Sequence, residues 1–319
     1  MMLSLKEAAD RLLAAKSLIL TAHVHPDGDA VGSSLALAAA LKQLGKSVRI
    51  IIDDDLPSGL KVLPGFDRIE RPTEGQSIQV DLLVVLDTEP DRTGNAMQGI
   101  TAPVLNIDHH VTNEGADNLD FYVDGDRAAT AEIMYQLLEF LPVTLTRDIA
   151  MPLYTGLATD TGFFRFSNTT PFTMRAAAKM LECGVKPNEI SESLEARPYE
   201  EVIGYAKVIQ TIERFADGHA AGIFLDKEAR ENLPGTDGLV GSVRVIEGVD
   251  VAIVMKWSED NAYRVSLRSK GVDVSRIAAS FGGGGHVRAA GCTLRMSFAD
   301  AKSSLQTAIT AALQSEEQA

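Results

Sequence analysis

Cysteine is scarce in this 319-residue chain: only Cys183 and Cys292 occur, and no C-x-x-C is formed. That gives no zinc-finger spacing and suits a reducing cytoplasm. Long apolar runs are also missing, because Lys, Asp or Pro interrupts each one well short of a spanning length, so no transmembrane helix is expected. Residues 1–8 carry an acid and no small-residue cleavage site after a hydrophobic core, which excludes a signal peptide; Ser4 with Glu7 reads instead as a capping box opening a helix. Internal repeats are absent, and Gly282–Gly285 is the one low-complexity tract. Positive charge is in short supply: 30 Lys and Arg against 44 Asp and Glu leave a net charge of −14. Binding to long nucleic acid rests mainly on phosphate neutralisation, so this balance argues against a non-specific duplex binder. Small anionic substrates stay open to the chain, since bound divalent metals and local basic clusters invert the field inside a cleft.

What is present is an ordinary globular composition, 45% apolar and 23% charged, at a length that favours two domains. Short apolar runs alternate with helical patterns. Strands are predicted over 17–22, 47–52, 80–86 and 103–107, with helices over 5–15, 30–44, 130–140 and 146–158. This alternation points to βαβ units and a parallel sheet. Helical pattern continues to about 214, broken most clearly at 184–187. Thereafter the character changes: strands are predicted at 219–225, 249–256 and 263–268, and helices at 273–280 and 298–314. We therefore expect a first domain over 1–184, a helical linker over 185–215, and a smaller α/β domain over 216–319, with the tail 315–319 frayed.

Several acids and histidines fall just after these elements: His23, Asp27, Asp29, Asp87, Asp108, His109, His110 and Asp160. A single Asp after a strand is ordinarily a cap or turn former. The run Asp53 to Asp55 receives that reading, as a solvated turn, and His25 and His219 are read as structural. The cluster as a whole is different. Several strands of one sheet delivering carboxylates to the same edge would force together groups that cannot all ionise cheaply, unless cations hold them. Mixed Asp and His ligands without thiolate suit Mn²⁺ ahead of Mg²⁺, with Co²⁺ or Zn²⁺ as substitutes. The arrangement expected is a pair of ions about 3.5–4 Å apart, bridged by carboxylate and hydroxide, suited to phosphoryl displacement.

A second signal lies near the C-terminus. Gly282, Gly283, Gly284 and Gly285, followed by His286 and Arg288, are poorly suited to the middle of a helix or strand. Such a tract lets backbone amides approach an anion closely. The region from Arg244 to Arg295 holds eight Lys and Arg against five acids, a local +3 in an acidic chain. Arg268, at a strand end, is placed to hold a phosphate bidentately; the other arginines read as surface.

The loop His23-x-x-x-Asp27-x-Asp29, isolated Asp87, the trio Asp108, His109 and His110, and Asp160-Thr161-Gly162 together resemble the four motifs of the DHH phosphoesterase superfamily. The Arg268-Ser269-Lys270 strand end and the glycine tract with His286 resemble its DHHA1 companion domain. Length and the lack of an extra oligonucleotide-binding module resemble the NrnA branch, as do Thr130-Ala131-Glu132 and the segment 162–168. The resemblance implies an active site in the cleft between a DHH and a DHHA1 domain. It implies that His23 and Asp27 hold one metal, Asp29 and His109 the other, with Asp87 and Asp160 bridging or shared. It places His110 against the substrate phosphate, with Asp108 supporting the site, and brings Arg165 within reach of a phosphate. Thr130 we read as structural.

The activity implied is hydrolysis of short oligoribonucleotides to mononucleotides, and removal of the 3′-phosphate of 3′-phosphoadenosine 5′-phosphate (pAp), by a bridging hydroxide between two Mn²⁺. No long duplex and no membrane is expected as partner, and the oligomeric state, a homodimer included, is open. Three other readings compete. A cyclic-dinucleotide phosphodiesterase has the same motifs. A manganese pyrophosphatase shares the metal site but not the glycine tract. A non-catalytic nucleotide sensor would be expected to have lost a ligand, and none is missing.

Overall fold

Branched apolar residues and their turns build the N-terminal sheet in the computed structural model, which describes residues 1–116, 119–233, 235–236 and 238–316. After the helix α1 (Leu5–Ala14), opened by the Ser4–Glu7 capping box, come β1 (Ser17–Thr21), α2 (Gly28–Gln43), β2 (Ser47–Ile51), β3 (Ile69–Glu70), β4 (Ile78–Gln79), β5 (Leu82–Leu86), β6 (Ile100–Thr101), β7 (Val104–Asp108) and β8 (Asp120–Val123). Four helices follow: α3 (Thr130–Leu137), α4 (Arg147–Asp160), α5 (Pro171–Glu182) and α6 (Pro187–Glu195). The sheet order is β3-β2-β1-β5-β7-β8, and every neighbouring pair is parallel. The chain runs outward from β1 to β3, then crosses back to lay β5 on the other side of β1. A crevice opens beyond the carboxyl ends of strands where the order reverses, here between β1 and β5.

Alternation along the strands divides the core. Leu18 and Leu20 join the large cluster that α1 to α5 cover, whereas Ile19 joins a small one with Ile51, Leu83 and Ala96 on the opposite face. Helices thus flank one face of the sheet. The other is covered by Ile78 and Ile100 of the short β4–β6 ladder with Val80 and Met97. Residues 71–103 form no α-helix that could cover that face.

Helix α2 is buried nearly all round, and its closest partner is α4. Glycines allow that approach: a Cβ on Gly32 would lie 2.4 Å from the Pro152 carbonyl oxygen, and one on Gly156 would lie 2.6 Å from Asp29 Oδ1. Gly32→Ala is therefore expected to destabilise the protein by about 1–3 kcal/mol, the usual cost of overpacking. A denaturant titration checks this, and an unchanged midpoint would show that the two helices can part without loss.

The chain divides into two compact units, Met1–Ala196 and Arg197–Ala319. This division falls inside the stretch expected to be a linker, and that stretch is not free-standing. Ile190 of α6 is buried in the first unit's core, and Val208 of α7 (Tyr199–Ile209) is buried in the second's. The second unit continues with β9 (Glu213–Phe215), β10 (Ala220–Leu225), α8 (Lys227–Glu231), α9 (Leu239–Arg244), β11 (Val251–Glu259), β12 (Ala262–Ser269), α10 (Val274–Ser280), β13 (Gly284–His286), β14 (Ala289–Arg295) and α11 (Phe298–Glu316). Its sheet, ordered β13-β14-β12-β11-β10-β9, is mixed, with only β10 and β11 parallel. One correction concerns the glycine tract. Gly284 and Gly285 are strand residues, paired with Gly291 and Ala290 at the sheet edge, where an edge position tolerates them. A second concerns the tail: α11 runs on to Glu316, and residues 317–319 of the expected frayed end lie outside the described residues. No helix among the described residues is long and apolar enough to cross a membrane.

Candidate metal centre

Beyond the end of β1 the chain turns through His23 and reaches Asp27, which caps α2 by accepting from the backbone N–H groups of Asp29 and Ala30. Asp29 thereby points inward from the first turn of a buried helix. The next strand across the switch point, β5, ends immediately before Asp87; β7 ends on Asp108, followed by His109 and His110; α4 ends on Asp160. Three groups of ligand atoms converge, each within 4.8 Å: His23 with Asp27 and Asp87; Asp29 with His109 and Asp160; Asp87 with His109 and His110. Nε2 of His23 is 3.5 Å from Asp87 Oδ2, and Nε2 of His109 is 3.5 Å from Asp87 Oδ1 and 3.3 Å from Asp160 Oδ2. The ring orientations are set from behind, where His23 Nδ1 lies 2.9 Å from the Val24 carbonyl and His109 Nδ1 lies 3.3 Å from that of Arg127.

This much negative charge is held at a cost. Burial, then Asp160 and Asp27, push the Asp29 carboxyl up to about 7. Asp87, fully desolvated and facing Asp29, Asp27, Asp160 and Asp108, is raised well above the carboxylate range, and Asp160 is raised by burial. His109 moves up to about 9: burial, the largest influence, works against its charge but is outweighed by Asp160 and Asp29. Among the described residues its buried Nε2 has no hydrogen-bond partner. Polar atoms taken from water without a partner are expensive. An unsatisfied imidazole nitrogen facing desolvated carboxylates fits a divalent cation, with His23, Asp27, Asp29, Asp87, His109 and Asp160 as donors.

Around these donors sits a scaffold that fixes their geometry. Asp108 Oδ1 accepts from the backbone N–H groups of His109 and His110 and lies 2.7 Å from His110 Nδ1, while Oδ2 accepts from Asn113 Nδ2. These bonds, added to the pull of His110, hold the Asp108 carboxyl below its usual value despite burial, the largest single influence. Asn113 also donates to Asn106, whose own amide donates to the Thr88 and Val85 carbonyls beside Asp87. Thr130 corrects the sequence reading: it is more than a helix start. Its N–H donates to Asp29 Oδ2 and its hydroxyl to Asp87 Oδ1, and Ala131 N–H donates to Asp29 Oδ1. Asp29 therefore caps α3 from outside, where Ala129 has no capping side chain. Thr130→Val is expected to weaken metal binding about 10–100-fold, as loss of an outer-shell partner does. Isothermal titration of metal into stripped protein checks this, and wild-type affinity would show that the hydroxyl is dispensable.

Asp53 and Asp54 also do more than face solvent. Asp53 accepts from the N–H and the amide of Asn95, and Asp54 accepts from the N–H of His25, holding the loop that carries Asp27. Past Asp160, Phe163 and Phe164 both take left-handed backbone conformations (φ 57° and 63°), and Arg165 is exposed with its Nε donating to the Gly162 carbonyl. In the second unit, His286 and Arg288 are exposed around the β13–β14 turn, and Arg268 is half-buried, with Nη1 donating to the Leu267 carbonyl. Steric need accounts for one glycine directly, since a Cβ on Gly283 would lie 2.2 Å from the Gly291 carbonyl oxygen.

A parallel sheet gathering histidines and aspartates at its switch point, followed by a smaller mixed-sheet unit with a glycine-rich hairpin, defines the class: a two-unit α/β protein with a donor set suited to divalent metal. The chain belongs to the DHH family, matching its N-terminal domain over residues 17–157 and the DHHA1 domain over 223–315. It is 39% identical, over 87% of this chain and 84% of the other, to the bifunctional oligoribonuclease and PAP phosphatase NrnA of Thermus thermophilus. The protein of the same name from Bacillus subtilis is 30% identical over 87% of this chain and 89% of its own. A solved exopolyphosphatase-related protein from Bacteroides fragilis shares the fold, with TM-score 0.85 over 95% of this chain and 94% of that one, at 23% identity.

Proposed function

We propose that this chain is a divalent-metal phosphoesterase that hydrolyses short oligoribonucleotides to mononucleotides and removes the 3′-phosphate of pAp. The observation that carries this reading is the overlap of the donor groups: Asp87 belongs to the group of His23 and to the group of His109, as a shared ligand of two ions would. Similarity to the two NrnA proteins supplies the substrate class. Two Mn²⁺ are the ions proposed, with Mg²⁺ or Co²⁺ as substitutes; His23 and Asp27 would hold one, Asp29, His109 and Asp160 the other, with Asp87 shared between them. Bound there, such ions supply a nucleophilic water at neutral pH and stabilise charge on the phosphoryl oxygens.

The chain's own residues do the positioning. Asp108 accepts from His110 Nδ1, which leaves Nε2 of that half-exposed ring for a phosphate oxygen. Arg165, exposed five residues beyond Asp160, adds positive charge for a phosphate. From the second unit we assign the tract Gly282–Gly285, His286, Arg268 and Arg288 to the substrate's other end. Assay of metal-stripped, Mn²⁺-restored protein against 5′-labelled di- to pentaribonucleotides, pAp, cyclic di-AMP and pyrophosphate tests the reading. Turnover of the short RNAs and pAp supports it. Turnover confined to cyclic di-AMP or to pyrophosphate replaces it with a cyclic-dinucleotide phosphodiesterase or a pyrophosphatase, and no turnover at all leaves a nucleotide sensor.

A further inference from the structure

Glu132, in the first turn of α3, is only 1% exposed and is not one of the metal donors. Its Oε2 accepts from the Ala128 N–H at 2.9 Å, and its Oε1 accepts from the Thr173 hydroxyl at 2.7 Å. No Lys, Arg or His lies within ion-pair distance of it among the described residues. Arg127, the nearest arginine in sequence, is paired with Asp124 and lies over the Phe172 ring. Burying a carboxylate without a cation is costly. A glutamine of the same shape would accept from Ala128 and donate to Thr173 at far smaller cost, so two hydrogen bonds do not explain an acid here.

The bond to Ala128 leads to the metal centre. The Ala128 N–H belongs to the same peptide unit as the Arg127 carbonyl, and that carbonyl is the one behind His109, 3.3 Å from Nδ1. A carbonyl only accepts, so Nδ1 of His109 keeps its proton, and Nε2, facing Asp87 and Asp160, is the nitrogen open to a cation. A peptide unit is planar and conjugated, so its N–H and C=O respond together. Negative charge at the N–H end raises electron density on the carbonyl oxygen and strengthens the bond that this oxygen accepts. The next peptide is tied down as well: Asn168 Nδ2 donates to both the Ala128 and the Asp160 carbonyls, at 3.2 and 3.1 Å.

We propose that Glu132 is a positioning residue for the metal centre, acting through the Arg127–Ala128 peptide. Carboxylate, peptide and imidazole form a relay that orients His109 and makes its Nε2 a stronger donor. A carboxylate bonded directly to a metal-binding histidine does the same; here one peptide unit stands between them. This rests on the proposed metal centre and deepens it, because it gives a task to a buried acid that is not itself a ligand.

The test compares Glu132→Gln with Thr173→Val. The first keeps the volume and the bond from Ala128 but removes the charge. The second removes the other partner of Glu132 and the acceptor of the Thr170 N–H, and leaves the relay peptide alone. In isothermal titration of Mn²⁺ into stripped protein, E132Q should bind about tenfold more weakly, the lower end of what loss of a directly bonded partner costs. T173V should melt at a lower temperature yet keep its affinity within about twofold, well short of that loss. Equal losses in the two variants, or no loss in E132Q, overturn the proposal. Proton NMR of metal-free protein gives a second readout. In E132Q the Ala128 N–H and the His109 Nδ1–H resonances should both move upfield, because the two bonds weaken together; movement of Ala128 alone breaks the relay. If the wild-type protein binds no Mn²⁺, the metal centre fails by itself, and the two resonances still decide whether the carboxylate reaches His109.

Discussion

Asp87→Asn is expected to abolish metal-dependent turnover and, in metal-free protein, to raise the melting temperature. Asp87 faces both His23 and His109, and it is fully buried among other carboxylates. Losing an outer-shell partner costs 10–100-fold in affinity or activity, and loss of a shared donor should exceed about 100-fold. The same change removes a desolvated carboxylate that the metal-free fold must keep protonated or repelled. The asparagine also keeps the rest of the site intact. It accepts the Thr130 hydroxyl as Asp87 does, and it tolerates the left-handed backbone at this position (φ 61°), where most side chains are strained. Each 1 kcal/mol of relief should appear as roughly 2–4 °C. Activity assays and calorimetry in EDTA check the two halves separately. Retained turnover would remove Asp87 from the donor set, and a lower melting point would show that its charge is not a burden.

The second large effect is the dependence of stability on pH, which should reverse with metal. Asp29 moves up to about 7 in the folded protein and His109 up to about 9. A carboxyl raised on folding binds its proton more tightly in the native state. Its contribution is present at low pH and is lost as pH rises from the ordinary carboxylate range through 7. The raised histidine acts with the same sign: its contribution is complete below its unfolded value near 6.5 and is lost as pH rises through 9. Asp87 and Asp160, also raised, add to the trend. Lowered carboxyls such as Asp108 change stability only at acid pH, outside this window. The melting temperature in EDTA should therefore fall between pH 6 and pH 8. With saturating Mn²⁺ it should hold or rise, because the ion replaces the protons and binds more tightly as they leave. Asp87→Asn should flatten the slope in EDTA. A metal-free protein that grew more stable from pH 6 to 8 would mean that these groups are not protonated together.

The parts of this arrangement that were legible from the residues share one property: a short apolar run ends and a metal-competent side chain follows at once. His23, Asp87 and Asp108 to His110 stand out for that reason, and the structure brings them to one crevice because the strands are parallel and point the same way. Asp160 is one step harder, since a helix end reaches the same place only through the close crossing of α2 and α4. Thr130 stayed hidden because a threonine at a helix start already has a local explanation, and its real partners lie 101 and 43 residues away. The edge strand β8 is short and only half-buried, so its sequence carries no strong alternation. The hairpin of β13 and β14 was missed for the opposite reason: its glycines and alanines have little strand preference, and pairing with β12 overrides that.

Helix α2 carries Asp27 and Asp29 at its start and is packed on nearly every side along its length. The donors therefore cannot loosen independently of the globule that surrounds them. Any divalent cation held by those donors would stabilise the whole first unit, and stripping it would raise the fraction of molecules open to proteases. Abundance of this protein should then track divalent-metal supply even where synthesis is constant, so that scarcity would be answered by degradation as well as by loss of turnover.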